Sequence, residues 1–160
     1  MNDIFLSLGS NLGDRGANLQ TALVDLEQWD VRVLRTSSIY KTEPFGKKDQ
    51  QDFFNMAVQV KTDRSPEDLL MVLHAIERSL GRERKEKWGP RSIDADILFY
   101  GERVLEDPEL TIPHLHLTER KFVLVPLAEI APKFVHPVLK KTVEELLNEC
   151  SDEGKVTLLS

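Results

Sequence analysis

Apolar and polar positions along the 160-residue chain fall into short blocks that read as alternating strands and helices. Ile4-Phe5-Leu6-Ser7-Leu8 predicts a first strand, running into a glycine-punctuated turn from Gly9 to Gly16. Leu19, Ala22, Leu23, Leu26 and Trp29 recur at helical spacing, so a helix follows over about Ala17 to Gln28. Val31 to Thr42 is rich in β-branched residues and predicts a second strand, and Phe53 to Thr62 a third, the two forming a hairpin across a polar loop. Ser65-Pro66-Glu67-Asp68 is a helix start with a hydroxyl cap, Pro at the first position and acids in the first turn. Leu69, Leu73, Ile76 and Leu80 continue that helix, and Gly81 can end it.

Beyond a highly charged loop, Ile93 to Tyr100 predicts a strand, with Val104-Leu105 pairing back after a turn at Gly101. Phe122 to Ile130 reads as helical despite Pro126, Thr142 to Cys150 as a last amphipathic helix, and Val156 to Leu159 as an edge strand. The order predicts an α+β fold, a ferredoxin-like three-layer α/β/α sandwich on a mostly antiparallel sheet. No Gly/Ser linker or internal repeat divides the chain, so residues 1–160 are expected to form a single domain.

Composition narrows the classes. With 41% apolar residues and 8 glycines the chain has ordinary globular content. A net charge of −6 disfavours general nucleic-acid or membrane binding. The single cysteine, Cys150, can form no internal disulfide, no stretch reaches membrane-spanning length, and the N-terminus lacks a basic region before its apolar run. These features predict a reducing, cytoplasmic compartment.

Asp94-Ala95-Asp96 is the strongest local signal. On a strand, residues two apart share a face, about 6.5–7 Å apart, and paired carboxylates there suit Mg²⁺. Ile93, Ala95 and Ile97 would then enter the core. The pair could equally be two solvated acids on an edge strand. Its neighbourhood favours the metal: from Arg82 to Arg91 the chain carries five positive and two negative side chains. Carboxylates for a cation beside Arg and Lys for phosphate oxygens make a polyphosphate site. The Gly9–Gly16 turn has neither Walker nor dinucleotide spacing. His114 and His116 lack a local third ligand for zinc, so hydrogen bonding is the better use. Phe45, Phe53, Phe54 and Phe122 are core candidates that could also sandwich a flat heterocycle.

With these residues in view, the sequence resembles the 6-hydroxymethyl-7,8-dihydropterin pyrophosphokinases of folate biosynthesis. Gly81-Arg82-x-Arg84-x-x-x-Trp88-Gly89-Pro90-Arg91-x-x-Asp94-x-Asp96-Ile97 carries the resemblance, with Leu8 to Gly13, Ser37 to Pro44, Asp52-Phe53-x-Asn55 and Leu110-Thr111-x-Pro113-His114 beside it. It implies transfer of pyrophosphate from ATP to the pterin hydroxymethyl group, with release of AMP. Asp94 and Asp96 would hold two Mg²⁺ along the triphosphate, and Arg82 and Arg91 would close onto the phosphates. Glu77, Arg84, Lys87, Trp88, Ile97, Thr111, His114 and Arg120 match nucleotide-contacting positions. Asn55 would read the pterin edge, helped near Thr42, Pro44 and Phe45, with Phe53 and Phe122 stacking on its faces and Trp88 capping it. A monomer is the family expectation. Ala95, Lys87, Leu115 and Glu109 depart from residues common in the family, which touches packing and ATP recognition rather than the reaction. Two rivals are a nucleotide-sensing module without chemistry and an RNA-binding sandwich using the basic loop. The acidic total and the adjoining carboxylates oppose the second.

Overall fold

The computed structural model describes residues 3–43, 50–81 and 92–159. Its elements are β1 (Ile4–Ser10), α1 (Arg15–Gln28), β2 (Arg32–Thr36), β3 (Tyr40–Thr42), β4 (Phe53–Lys61), α2 (Pro66–Ser79), β5 (Asp94–Tyr100), β6 (Leu105–Asp107), β7 (Leu110–Ile112), α3 (Lys121–Ile130), α4 (Val143–Glu149) and β8 (Val156–Leu158). The main sheet runs β5-β1-β4-β3-β8, with β2 also on β4, and every pairing is antiparallel.

Side chains alternate across this sheet, and each face has its own apolar cluster. Ile4, Leu6 and Leu8 of β1 pack with Met56, Val58 and Val60 of β4 against Leu19 and Leu26 of α1 and Leu69, Leu73 and Ile76 of α2. On the opposite face Phe5, Ala57, Leu98 and Phe99 meet Val123, Leu124 and Leu127 of α3 and Val143 and Leu146 of α4. Phe99 and Phe134 tilt together at 4.7 Å, with Phe5 edge-on to Phe134 at 5.2 Å. Three layers result, as the order of elements predicts.

The caps follow the sequence signals. Asp14 and Ser65 each accept a backbone N–H in the first turn of their helices, and Thr142 forms a reciprocal capping box with Glu145. Gly81 takes φ +84° just past α2, a left-handed conformation that glycine adopts without strain.

Two expected elements differ. Val31 to Thr42 is not one strand: it breaks at Ser37, whose hydroxyl accepts the Ala57 N–H at 2.9 Å in place of a ladder carbonyl. The register against β4 shifts across this break, so β2 pairs the stretch from Val58 to Lys61 and β3 the stretch from Phe53 to Asn55, both antiparallel. Val104-Leu105 does not pair back onto the preceding strand. Leu105–Asp107 pairs instead with Leu110–Ile112 as a separate hairpin. Asp107 at its turn accepts the Glu109 N–H, with Pro108 between them, a local hydrogen bond that favours turning.

Candidate active site at the polar end of the sheet

Register along β1 decides which side chains meet. Gly9 pairs with Asn55 of β4 on one side and with Asp94 of β5 on the other, while Ser7 pairs with Ala57 and Asp96. Asn55 and Asp94 therefore lie two strand spacings apart, about 10 Å. A bulge makes this possible. Phe5 pairs with Phe99 but Leu6 pairs with Ile97, so Leu98 has no opposite number on β1. One extra residue reverses the facing of everything beyond it. Ala95 and Ile97 consequently enter the core beneath α1 and α2, and Asp94 and Asp96 turn to the α3 side, where Asn55 also points.

Both aspartates are half-buried, and the Asp96 side chain is 43% exposed. The backbone between them is fixed from below: Glu77 of α2, only 3% exposed, accepts the Ala95 N–H at 3.0 Å. Ile97 presents its side chain to the core, leaving only its backbone to a ligand on the aspartate side.

On the other side of Gly9, Asn55 is 3% exposed and donates to the Thr42 hydroxyl at 2.7 Å. Phe53, one turn of the pleat along, shares its face and is half-buried. Gly9 leaves room for both. A Cβ there would lie 2.7 Å from Asn55 Oδ1 and 3.5 Å from Phe53 Cδ1. Phe122 enters from the first turn of α3, half-buried, with the Arg120 guanidinium 5.8 Å from its ring centre.

Supporting contacts went unread in the sequence. Asn11 is almost wholly buried and donates to Gln50 Oε1 at 2.9 Å and to the Gln51 carbonyl at 3.2 Å. Arg15 donates to the Asp52 carbonyl at 2.8 Å and lies over the Phe54 ring at 3.9 Å. Together they fix the chain just before Phe53. Asn11 was signalled by its place inside the Gly9–Gly16 turn and the Leu8–Gly13 stretch of the resemblance, neither of which reveals a long-range partner.

His114 approaches the aspartates from the end of β7. Its N–H donates to the Leu98 carbonyl at 3.0 Å, and its Nε2 lies 3.9 Å from Asp96 Oδ1. Nδ1 accepts the His116 N–H at 3.2 Å, so in the neutral ring Nε2 carries the proton on the aspartate side. Burial, then the Arg120 and His116 charges, push the His114 pKa down to about 4. The ring is thus neutral near pH 7, and its approach to Asp96 is a polar contact rather than an ion pair. Thr111 on β7 holds its hydroxyl against the Asp107 carbonyl at 3.4 Å. Pro44, Phe45, Arg82, Arg84, Lys87, Trp88 and Arg91 lie outside the described residues.

Among the described residues no group of three or more His, Cys, Asp or Glu could hold a metal ion by itself. Two carboxylates on one face nevertheless fit Mg²⁺, which takes one or two protein carboxylates and completes its shell with substrate phosphates and water. No helix of the described residues is long and apolar enough to cross a membrane.

Paired carboxylates on β5 and a buried amide beside Phe53 on β4 make an arrangement suited to a cation-bound anionic group next to a flat polar ring. Residues 5–132 match the 7,8-dihydro-6-hydroxymethylpterin-pyrophosphokinase family, and the chain belongs to that family. It is 46% identical over 145 residues to a 2-amino-4-hydroxy-6-hydroxymethyldihydropteridine pyrophosphokinase of Synechocystis, covering 90% of this chain and 74% of that one. The Bacillus subtilis protein of the same name is 48% identical over 132 residues, 81% of this chain and 79% of the other. A Plasmodium falciparum HPPK-DHPS structure with pteroate superposes with TM-score 0.71 at 19% identity over 92% of this chain, and shares its fold. This chain spans 42% of that protein and 21% of the folic acid synthesis protein of Schizosaccharomyces pombe.

Two expectations follow from this geometry. Gly9→Ala would place a Cβ 2.7 Å from Asn55 Oδ1, so the variant should lose on the order of 1–3 kcal/mol of stability, as urea unfolding would measure. His114 titrates near 6.5 when unfolded and about 4 when folded. Its contribution to stability is complete above pH 6.5 and is lost as pH falls toward 4, because the unfolded chain then binds the extra proton. Unfolding free energies from urea titrations at pH 7 and pH 5 should therefore differ more in the wild type than in His114→Gln, by on the order of 1–2 kcal/mol. Burial also lowers the His136 pKa, but that residue is common to both proteins and cancels.

Proposed function

We propose that this chain transfers the pyrophosphoryl group of ATP to the hydroxymethyl oxygen of 6-hydroxymethyl-7,8-dihydropterin, releasing AMP. The pterin oxygen bonds to the β-phosphorus, the bond from that phosphorus to the α,β-bridging oxygen breaks, and the hydroxyl proton is released. One observation carries this reading beyond family membership. The residue pair suited to cations and the amide suited to a heterocycle edge flank a single glycine, Gly9, on the same face of the sheet. About 10 Å across the strands separates a triphosphate from a pterin ring while letting the hydroxymethyl arm reach the phosphorus.

Each residue then has a role. Asp94 and Asp96 hold two Mg²⁺ brought with ATP, steadied by the Glu77 carboxylate on the backbone between them. When bound, those ions neutralise the triphosphate and orient the β-phosphorus for in-line attack. His114, neutral and with its Nε2–H toward Asp96, donates to a phosphate oxygen without adding charge. Arg82, Arg84, Lys87 and Arg91 supply further cationic donors, and Thr111, Arg120 and the Ile97 backbone contact the nucleotide. Asn55, its orientation fixed by Thr42, reads the pterin edge beside Pro44 and Phe45. Phe53 and Phe122 stack on the ring and Trp88 covers it, which excludes water as a competing acceptor. Residues 1–160 act as a single domain, monomeric and cytoplasmic, a reading supported by a main sheet that joins β1 to β8 and by a lone thiol.

Product analysis after mixing the protein with Mg-ATP and 6-hydroxymethyl-7,8-dihydropterin is the direct test. AMP should appear in step with a pterin diphosphate, whereas ADP would mean an ordinary kinase. Asp96→Ala should lower kcat on the order of a thousandfold with cooperative unfolding retained. Wild-type turnover in that variant would remove the carboxylates from the mechanism.

A further inference from the structure

Glu129 stands where helix energetics alone would not put it. It is the ninth of ten residues in α3, at the negative end of the helix dipole, where a carboxylate is disfavoured. What compensates comes from a strand across the site. Glu129 Oε1 accepts from the Tyr40 hydroxyl at 2.6 Å and the Ser38 N–H at 3.1 Å, and Oε2 accepts from the Ser38 N–H at 3.0 Å and the Ser38 hydroxyl at 3.2 Å. Arg35 adds a bond from its guanidinium to the Ile130 carbonyl at 2.7 Å. Burial, and the hydrogen bond and charge of Glu129, raise the Tyr40 pKa to about 12, so the phenol stays a donor at every physiological pH.

In the proposed pterin site, the two ends of this contact belong to opposite walls. Tyr40 pairs with Asn55 across the sheet and stands two residues before Thr42, which takes the Asn55 amide proton. Phe122 stands seven residues before Glu129 on the same helix, about 10 Å along its axis. Whatever fixes α3 against β3 therefore fixes the gap between the Phe122 ring and the Asn55–Phe53 wall. We propose that Glu129 is a positioning residue for the pterin: by clamping Ser38 and Tyr40 to the end of α3 it sets the pocket width, and with it affinity for the flat ring. The inference rests on the pterin reading of this pocket.

Steady-state kinetics with Mg-ATP and 6-hydroxymethyl-7,8-dihydropterin, alongside thermal unfolding, tests it in Glu129→Ala, Glu129→Gln, Tyr40→Phe and the Tyr40→Phe/Glu129→Ala double variant. Glu129→Ala should raise KM for the pterin about tenfold, with kcat and KM for ATP held within about twofold. Glu129→Gln, which keeps an acceptor oxygen, should recover most of that loss, and Tyr40→Phe should add nothing to Glu129→Ala. A rise in both KM values together, losses that follow melting temperature without recovery in Glu129→Gln, or wild-type KM for the pterin in Glu129→Ala would each overturn the clamp. A wild-type protein that does not turn over the pterin would overturn the pocket reading and the clamp with it.

Discussion

A single unmatched residue in an edge strand sets the chemistry of this fold. Strands offer only two directions for side chains, so the face a residue occupies is fixed by counting from any anchored neighbour. Phe99 is anchored among Phe5, Phe134 and the α3–α4 layer. Counting back from it without interruption would send Asp94 and Asp96 under α1 and α2, among apolar side chains and beside the buried Glu77 carboxylate, and leave Ala95 and Ile97 on the other side. Burying two charges there would cost several kcal/mol each. The bulge at Leu98 removes that conflict and brings the carboxylates onto the face that carries Asn55.

The two helical layers therefore divide their work. The α1–α2 side is apolar from Ile4 to Leu8 on β1 and from Met56 to Val60 on β4, with the Glu77 carboxylate buried against β5. On the α3–α4 side only the lower half is core, an aromatic group of Phe5, Phe99 and Phe134. Above it, small residues on β1 keep the surface open: Ser7 and Gly9 stand where a large side chain would fill the space between Asn55 and the aspartates. The site is a stretch of sheet left uncovered by its own central strand.

Much of this was legible from residue pattern. Alternation around Ala95 correctly separated the aspartates from the core, and Ser65-Pro66 and Thr142-x-x-Glu145 announced their helices through local hydrogen bonds. Most of what failed depends on distant partners, whereas the β6–β7 hairpin turns on a local bond at Asp107. The break at Ser37 exists because its hydroxyl replaces a ladder carbonyl for Ala57, twenty positions away. Asn11 reaches Gln50, and Glu77 meets Ala95, across separations at which a single sequence holds no record of contact. Ile97 was read both as core and as a nucleotide contact, and its side chain is in the core. The approach of Asn55 to Asp94 across Gly9 needed the sheet register, since spacing alone relates only residues on one strand.

Beyond the 5–132 stretch that matches the family, the chain still serves the sheet. Asp152 accepts the Lys121 N–H at the start of α3, and β8 then lies along the outer edge of β3, with the Leu159 N–H reaching the Ile39 carbonyl. An uncovered strand edge is a template for pairing with other chains. Three residues of β8 occupy that edge beside Tyr40 and Thr42, so the strand that holds Thr42 against Asn55 is also guarded against intermolecular β-pairing and the aggregation that begins from it.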